Sequence, residues 1–144
     1  MRASMLAVLV TIALVIPGLV MAAGDVPDLK GTWTGHLVGM RHGKGDPVAH
    51  RADKGLRTVT AADMTLTIDF QEGRVFSGTH SSGKGKTKEA VIGVIRSDNK
   101  NVVMTDDDSF FFAKLLAPDK LEVVWSEVEY PEHGAGIAIY TKKK

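Results

Sequence analysis

Period-two alternation of apolar and polar residues is the feature that most restricts the fold of this chain. The segment ADMTLTIDF at residues 62–70 puts four apolar side chains on one face, Met64, Leu66, Ile68 and Phe70, with polar side chains between them. Successive side chains of a strand point to opposite faces, so this segment is predicted to be a half-buried strand. Helical spacing is rare elsewhere in the chain, which favours an all-β fold.

The same alternation recurs between short turns that carry Asp, Asn, Gly or Pro, the residues that accept turn dihedrals. Eight strands are predicted, at residues 31–40, 62–70, 74–80, 86–96, 101–105, 109–116, 121–129 and 136–142. Consecutive strands with mostly tight connections predict an eight-stranded up-and-down antiparallel barrel, which closes on itself and leaves no free edge. A β-sandwich is the alternative, but it needs longer crossing connections.

Residues 1–23 are predicted to be a signal peptide and not part of the fold. Arg2 precedes an apolar run at residues 5–16, a proline and a glycine then break any helix, and small residues follow at 22–24. That layout is typical of a cleaved secretory leader, whereas a transmembrane anchor needs about 20 apolar residues without such a break. We therefore expect no stable membrane anchor, a single β-barrel domain at residues 24–144, and a periplasmic or secreted location.

The composition excludes several classes of function. The chain contains no cysteine, so disulfides, an attached lipid on cysteine and thiol catalysis are all ruled out. Without Arg2 the chain has 17 Lys+Arg against 17 Asp+Glu. A balanced chain lacks the basic surface that nucleic acid usually requires. No nucleic-acid partner is expected.

No motif in the chain indicates an enzyme or a cofactor. Residues 78–84 match G-x-x-x-x-G-K, but Gly85 stands where a phosphate-binding loop needs Ser or Thr, and predicted strands flank the motif. We interpret it as a hairpin loop. The triplet at residues 106–108 is three aspartates, but it lacks the spaced ligands of a calcium loop and is predicted to be a solvated turn. A non-enzymatic protein without a cofactor is expected.

The pentapeptide GTWTG at residues 31–35 suggests how the barrel is closed. Alternation turns Trp33 inward and its two threonine neighbours outward, while the flanking glycines allow close approach of neighbouring strands. Trp33 is predicted to be a structural plug at the closed end.

The chain resembles the calycin-type barrels, namely avidins, lipocalins and small exported bacterial barrels. The resemblance is carried by DLKGTWTG (28–35), GRVFSGT (73–79) and GVIRSDNKNVVMTDDDSFFFAKL (93–115). It implies a barrel fold with a binding site at the open end. It does not extend to biotin, because Gly35 and Gly39 occupy the positions at which avidins carry the Asn and Ser that hold biotin.

Alternate connections of an up-and-down barrel lie at the same end. The connections at 41–61, 81–86, 106–109 and 131–136 therefore predict an open mouth, and the first is long enough to act as a lid. The residues predicted to bind a ligand there are His42, His50, His80, His133, Arg51, Phe76 and Trp125. Polar residues are common in loops, but imidazoles and basic groups at a mouth also suit an anionic group or a transition metal. The sequence does not identify a metal for this site.

These features favour an exported, non-enzymatic barrel that binds a small, partly apolar ligand or a protein partner at its open end. One alternative is an inhibitor of a secreted enzyme, which would project its N-terminal segment or lid into its target. The other is a barrel-type enzyme that uses a mouth histidine as general base with Asp107 or Asp108 nearby.

The later strands are apolar on both faces. Ile92 and Val94 alternate with Val91 and Ile95, and only one face of each strand can line the interior. The outer face of residues 90–128 is thus predicted to be a continuous apolar wall, which soluble monomers seldom expose. A two-fold homodimer is predicted to cover it.

Overall fold

The computed structural model describes residues 25–42, 56–82, 87–129 and 132–144, and within them all regular structure is β. The strands are β1 (Gly31–His42), β2 (Leu56–Glu72), β3 (Val75–Ser82), β4 (Thr87–Ile95), β5 (Asn101–Thr105), β6 (Ser109–Ala117), β7 (Lys120–Glu129) and β8 (Glu132–Lys142). Each strand pairs antiparallel with the next, and β8 pairs with β1 to close the barrel. The predicted eight-stranded up-and-down barrel is confirmed, the sandwich is excluded, and the architecture fits a calycin-like small barrel. Among the described residues, no helix is long and apolar enough to cross a membrane.

The strands around the mouth are longer than the sequence pattern indicated. β1 and β2 pair as far as His42 opposite Leu56, so the predicted lid at 41–61 is wrong at both of its ends. Only residues 43–55 of that connection lie outside the described part of the chain. The predicted turn at 131–136 is also mostly strand, because β8 starts at Glu132. Backbone hydrogen bonds hold these extensions whatever their side-chain pattern, since the ends of β1 and β8 each pair with two strands and the start of β2 pairs with β1.

A β-bulge changes the face of one predicted core residue. Leu66 and Ile68 are 2% exposed, whereas Phe70, predicted to lie on the same face, is 52% exposed. The pairing of β2 with β3 shifts between Ile68 and Phe70. An extra residue in one strand reverses the alternation beyond it, so Phe70 points to solvent.

The segment that precedes β1 packs against the closed end of the barrel. Leu29 is 1% exposed and Trp33 is fully buried, and the indole Nε1 of Trp33 donates a hydrogen bond of 2.8 Å to the Leu29 carbonyl. Gln71 holds the same segment from β2, since its Oε1 accepts from the Leu29 amide at 2.8 Å and its Nε2 donates to the Pro27 carbonyl at 2.9 Å. The Lys142 ammonium lies 5.3 Å from the centre of the Trp33 ring. Leu29, which the sequence reasoning did not single out, therefore shares this end with Trp33.

Replacing Leu29 with alanine is expected to lower the free energy of unfolding by about 2–3 kcal/mol, as for other truncations of buried leucine. The neighbouring exposed Lys30 gives a matched control, because Lys30→Ala removes a side chain that lies outside the core. Urea unfolding followed by circular dichroism measures both. Equal losses in the two variants would show that the segment before β1 does not seal the barrel in solution.

An apolar row runs around the outside of the barrel. Register aligns six outward-facing side chains from successive strands in the order Val94, Val103, Phe112, Val124, Ile137 and Val38. Five of them are between 41% and 57% exposed, and Val103 is half-buried. The outer apolar wall predicted for residues 90–128 is thus present, and it extends through β8 onto β1.

Candidate functional site

The most unusual residue of the barrel interior is His80, on the inward face of β3 near its mouth end. It is 8% exposed, and the edge contact between its ring and that of Phe111 has a centroid separation of 5.2 Å. Burial lowers the pKa of His80, and the charge of Asp106 opposes that shift only in part. The imidazole is therefore neutral at neutral pH, with one ring nitrogen carrying a proton and the other a lone pair.

Tyr140, on the inward face of β8, reaches His80 across the barrel. Its hydroxyl lies 3.1 Å from Nε2 of His80, within hydrogen-bond distance. Tyr140 is 3% exposed, and burial raises the pKa of the phenol, which keeps it protonated. Gly35 leaves room for the ring of Tyr140, because a Cβ at residue 35 would lie 2.9 Å from Cγ of that ring. The two side chains thus form a hydrogen-bonded polar pair in the interior of the barrel.

A small cavity adjoins this pair. Its lining consists of Leu66, His80, Val91, Met104, Phe111, Val123 and Tyr140. Its volume is about 10 Å³, which is the space of roughly one water molecule. Ligand cavities of typical small molecules are tens of times larger, about 300–1,000 Å³. This cavity is therefore nearly filled by the side chains that line it.

Two carboxylates stand beside His80. Glu89 lies directly opposite His80 in the β3–β4 ladder, and Asp106 follows the end of β5. One nitrogen of His80 and one oxygen from each carboxylate all lie within 4.8 Å of one another. Burial raises the pKa of Glu89, with further contributions from the charges of Asp106 and its two neighbours and from a hydrogen bond that the protonated form of Glu89 can donate to Asp106. The carboxyl of Glu89 is thus easier to protonate than an exposed one.

Asp106 is held in place by the turn between β5 and β6. Its Oδ1 accepts hydrogen bonds from the amide of Ser109 at 2.8 Å and, more weakly, from that of Asp108 at 3.4 Å. Its Oδ2 is buried and has no hydrogen-bond partner. Asp107 and Asp108 are exposed, as a solvated turn requires. The turn interpretation is therefore incomplete for Asp106, whose carboxylate faces His80 and Glu89.

A second polar group lies at the mouth ends of β1 and β7. Arg41 forms an ion pair with Glu127, which is 5% exposed, and its guanidinium carbon lies 5.3 Å from the centre of the Trp125 ring. The Trp125 Nε1 donates to the hydroxyl of Ser109 at 3.0 Å. Gly134 leaves room for the side chains of Arg41 and Trp125, since a Cβ at residue 134 would lie 2.7 Å from an atom of each.

The predicted ligand-binding residues do not form one cluster. His42 and His133 stack with ring centroids 5.0 Å apart, and neither ring nitrogen of His42 has a hydrogen-bond partner. His80 is separate from them, because in the described part of the chain only His80, Glu89 and Asp106 bring three candidate ligand groups within 4.8 Å.

The remaining predicted residues are placed as follows. Trp125 is 8% exposed beneath Arg41, and Phe76 is 3% exposed in the core near the closed end. His50 and Arg51 lie outside the described residues. The plug role of Trp33 stays a prediction, although its complete burial at the closed end agrees with it.

Three residues of the site were missed by sequence reasoning. Glu89 carried a readable signal, because it shares the inward face of β4 with Val91 and Ile95, where a carboxylate is unexpected. Tyr140 had no sequence signal beyond its inward position in the alternation of β8. Asp106 could not be distinguished from the two aspartates that follow it.

Acidification is expected to destabilise the metal-free protein through His80. The unfolded imidazole titrates near 6.5 and the folded one below that value, so the unfolded chain takes up the proton first. The contribution of His80 to stability is complete above pH 6.5 and is lost as pH falls from there through the lowered pKa. Glu89 acts in the opposite sense, since its pKa is raised on folding.

Comparing the wild-type protein with His80→Gln separates the effect of His80 on the pH dependence of stability from that of Glu89. Chemical unfolding in the presence of a chelator, repeated between about pH 7.5 and pH 5, should show that the wild-type protein loses stability relative to the variant as pH falls. Parallel curves for the two proteins would contradict the neutral, buried imidazole.

No protein-family model matches the chain, and no curated protein matches it. A solved structure of EF1p2_mFAP2b bound to DFHBI is similar to it, with 7% sequence identity and a TM-score of 0.48. The match covers 80% of this chain and 94% of that one. Nothing about the ligand of this protein follows from a likeness at that level.

Proposed function

We propose that this protein is an exported, non-enzymatic calycin-type barrel that binds a small, partly apolar ligand at its open end. The observation that carries the proposal is the His80–Tyr140 hydrogen bond of 3.1 Å, set in the wall of a cavity that is otherwise apolar. Aliphatic side chains alone can fill the interior of a barrel that binds nothing. Each buried polar group adds a free-energy cost unless it finds a hydrogen-bond partner. A few polar groups in an apolar cavity are the usual arrangement for orienting a ligand.

The cavity dictates how a ligand would be held. The apolar part would contact Met104, Phe111 and Val123, and a polar atom would exchange hydrogen bonds with His80 or Tyr140. Because the free space is that of about one water, binding requires side chains to move. Met104 is unbranched and adapts readily.

Native mass spectrometry of protein purified from its own periplasm or medium tests this function. The expected result is a bound small molecule whose occupancy falls in Tyr140→Phe, a change that removes the hydroxyl and keeps the ring. Thr141→Val is a matched control, since Thr141 is the exposed neighbour of Tyr140 on β8. Ligand-free masses for the wild-type protein, or equal occupancy in Tyr140→Phe, would contradict the proposal.

Export is part of the proposal and rests on the leader at residues 1–23. The mature protein is expected to begin near residues 22–24. Intact-mass measurement of protein from the periplasm or medium checks the cleavage. A full-length mass, or recovery from the cytoplasm alone, would contradict export.

The homodimer predicted from the sequence stays a prediction. It would cover the row from Val94 to Val38, in which none of the six side chains is charged. Light scattering at micromolar concentration is expected to give twice the mature mass, and Phe112→Lys is expected to give a monomer, because a buried lysine without a partner opposes association. Lys114→Ala, on the same outward face of β6, is the control. A monomeric wild-type protein would disprove the dimer.

A further inference from the structure

A histidine and two carboxylates converge at the mouth end of β3, β4 and β5. His80 and Glu89 are cross-strand neighbours, and opposite residues of an antiparallel pair have Cβ atoms about 4.5–5.5 Å apart. Asp106 joins them from the following turn, which fixes its carboxylate through the Ser109 amide at 2.8 Å. Backbone pairing and turn geometry therefore position all three side chains.

We propose that His80, Glu89 and Asp106 bind one divalent first-row transition-metal ion, with Zn²⁺ as its representative. The inference rests on the proposed function, because it places a metal ion at His80, one of the two polar residues of the proposed ligand-binding cavity. Their donor atoms lie within 4.8 Å of one another. Ligands bound to zinc at about 2.0–2.2 Å are roughly 3–3.5 Å apart in a tetrahedral site. A contraction of about 1 Å, within the reach of side-chain rotation, completes the geometry.

Charge and hydrogen bonding at the three residues also favour a cation. The Oδ2 atom of Asp106 is buried without a hydrogen-bond partner, although a buried polar atom normally has one. Within the described ranges the sole ion pair is that of Arg41 with Glu127, so no described basic side chain neutralises Glu89 or Asp106. A divalent ion would satisfy the unpartnered oxygen and compensate both carboxylates.

The surroundings of His80 suit a metal ligand. The residue is only 8% exposed, so its imidazole is held among the other interior side chains. The Tyr140 hydroxyl contacts Nε2 of His80 at 3.1 Å, and under the proposal Nδ1 is the nitrogen that binds the ion. Metal-bound histidines commonly have such a partner, which fixes the orientation of the ring.

The donor set selects the class of ion. One imidazole nitrogen with two carboxylate oxygens suits zinc and neighbouring first-row ions, whereas calcium and magnesium prefer oxygen ligands alone. Three protein ligands leave a coordination position for water or for a polar atom of a bound molecule.

Calorimetric titration with ZnCl₂ near neutral pH, on full-length mature protein stripped with a chelator, tests the site. The wild-type protein is expected to bind one Zn²⁺ per chain. His80→Gln and Glu89→Gln are each expected to weaken binding at least tenfold, and Tyr140→Phe about tenfold, the effect of losing an outer partner of a ligand. His36→Ala is the matched control, because His36 is exposed on β1, and it should bind as the wild type does.

Two further measurements make the outcome decisive. Thermal unfolding in chelator establishes that each variant folds, and zinc should raise the melting temperature of the wild-type protein but not that of Glu89→Gln. A His42→Ala, His133→Ala variant tests the stacked pair at the mouth. Loss of zinc binding in that variant, with binding retained in His80→Gln and Glu89→Gln, would overturn the inference.

The result also separates this inference from the proposed function. If the wild-type protein binds no zinc but carries a small molecule that depends on Tyr140, the metal site is disproved and the binding function stands. If it binds neither, both are disproved. Zinc binding that depends on His80 and Glu89 supports the site even when no organic molecule is found.

Discussion

Replacing Trp33 with alanine is expected to lower the free energy of unfolding by about 3–5 kcal/mol, the usual cost of truncating a fully buried aromatic side chain. Trp33 has no exposed surface. Its indole N–H donates a hydrogen bond to the carbonyl of Leu29, another buried residue of the closed end. The change therefore opens a cavity and also leaves that carbonyl without its donor.

Two companion variants separate packing from hydrogen bonding. Trp33→Phe retains most of the ring volume but loses the N–H, and is expected to cost about 1–2 kcal/mol. Thr32→Ala changes the adjacent side chain, which is half-buried and lies on the opposite face of β1. Urea unfolding measures all three. A loss below about 1 kcal/mol for Trp33→Ala would show that the ring does not plug the barrel.

Arg41 and Glu127 are expected to respond unequally to substitution. The side chain of Glu127 is 6% exposed and that of Arg41 is 32% exposed. Arg41→Ala leaves a carboxylate buried without a partner, which should lower the free energy of unfolding by about 2–4 kcal/mol. Glu127→Gln should cost about 1 kcal/mol, because the guanidinium can still reach water and retains the Trp125 ring.

A double-mutant cycle measures the coupling of the pair. In the Arg41→Ala, Glu127→Gln protein the unpaired charge is gone, so the total loss should be smaller than the sum of the two single losses. Lys114→Ala, which removes an exposed cation from β6, is the control for general charge effects. Additive losses, or a larger loss for Glu127→Gln than for Arg41→Ala, would show that the pair does not form in solution.

The site was only partly readable from the sequence. His80 was singled out because the order of the strands and connections assigns it to the open end of the barrel. Tyr140 was not, because its contact with His80 joins positions 60 residues apart. No local pattern reports such a contact. The inward carboxylate of Glu89 follows from alternation alone, whereas the inward turn of Asp106 depends on its hydrogen bonds within the β5–β6 connection.

The number, order and direction of the strands were determined by the sequence itself. Alternation sets which face of a strand is apolar, and turn residues set where each strand stops, so both act over a few residues. This local information was sufficient for the barrel and for Trp33 facing inward.

Register and strand length were decided only by the tertiary structure. The bulge that turns Phe70 outward, and the extension of β1 and β8 around the mouth, follow from backbone pairing with strands distant in sequence. The contact of His80 with Tyr140 arises in the same way. It forms only when β8 closes on β1, because a backbone hydrogen bond is specified by the position of its partner and not by the identity of the side chain.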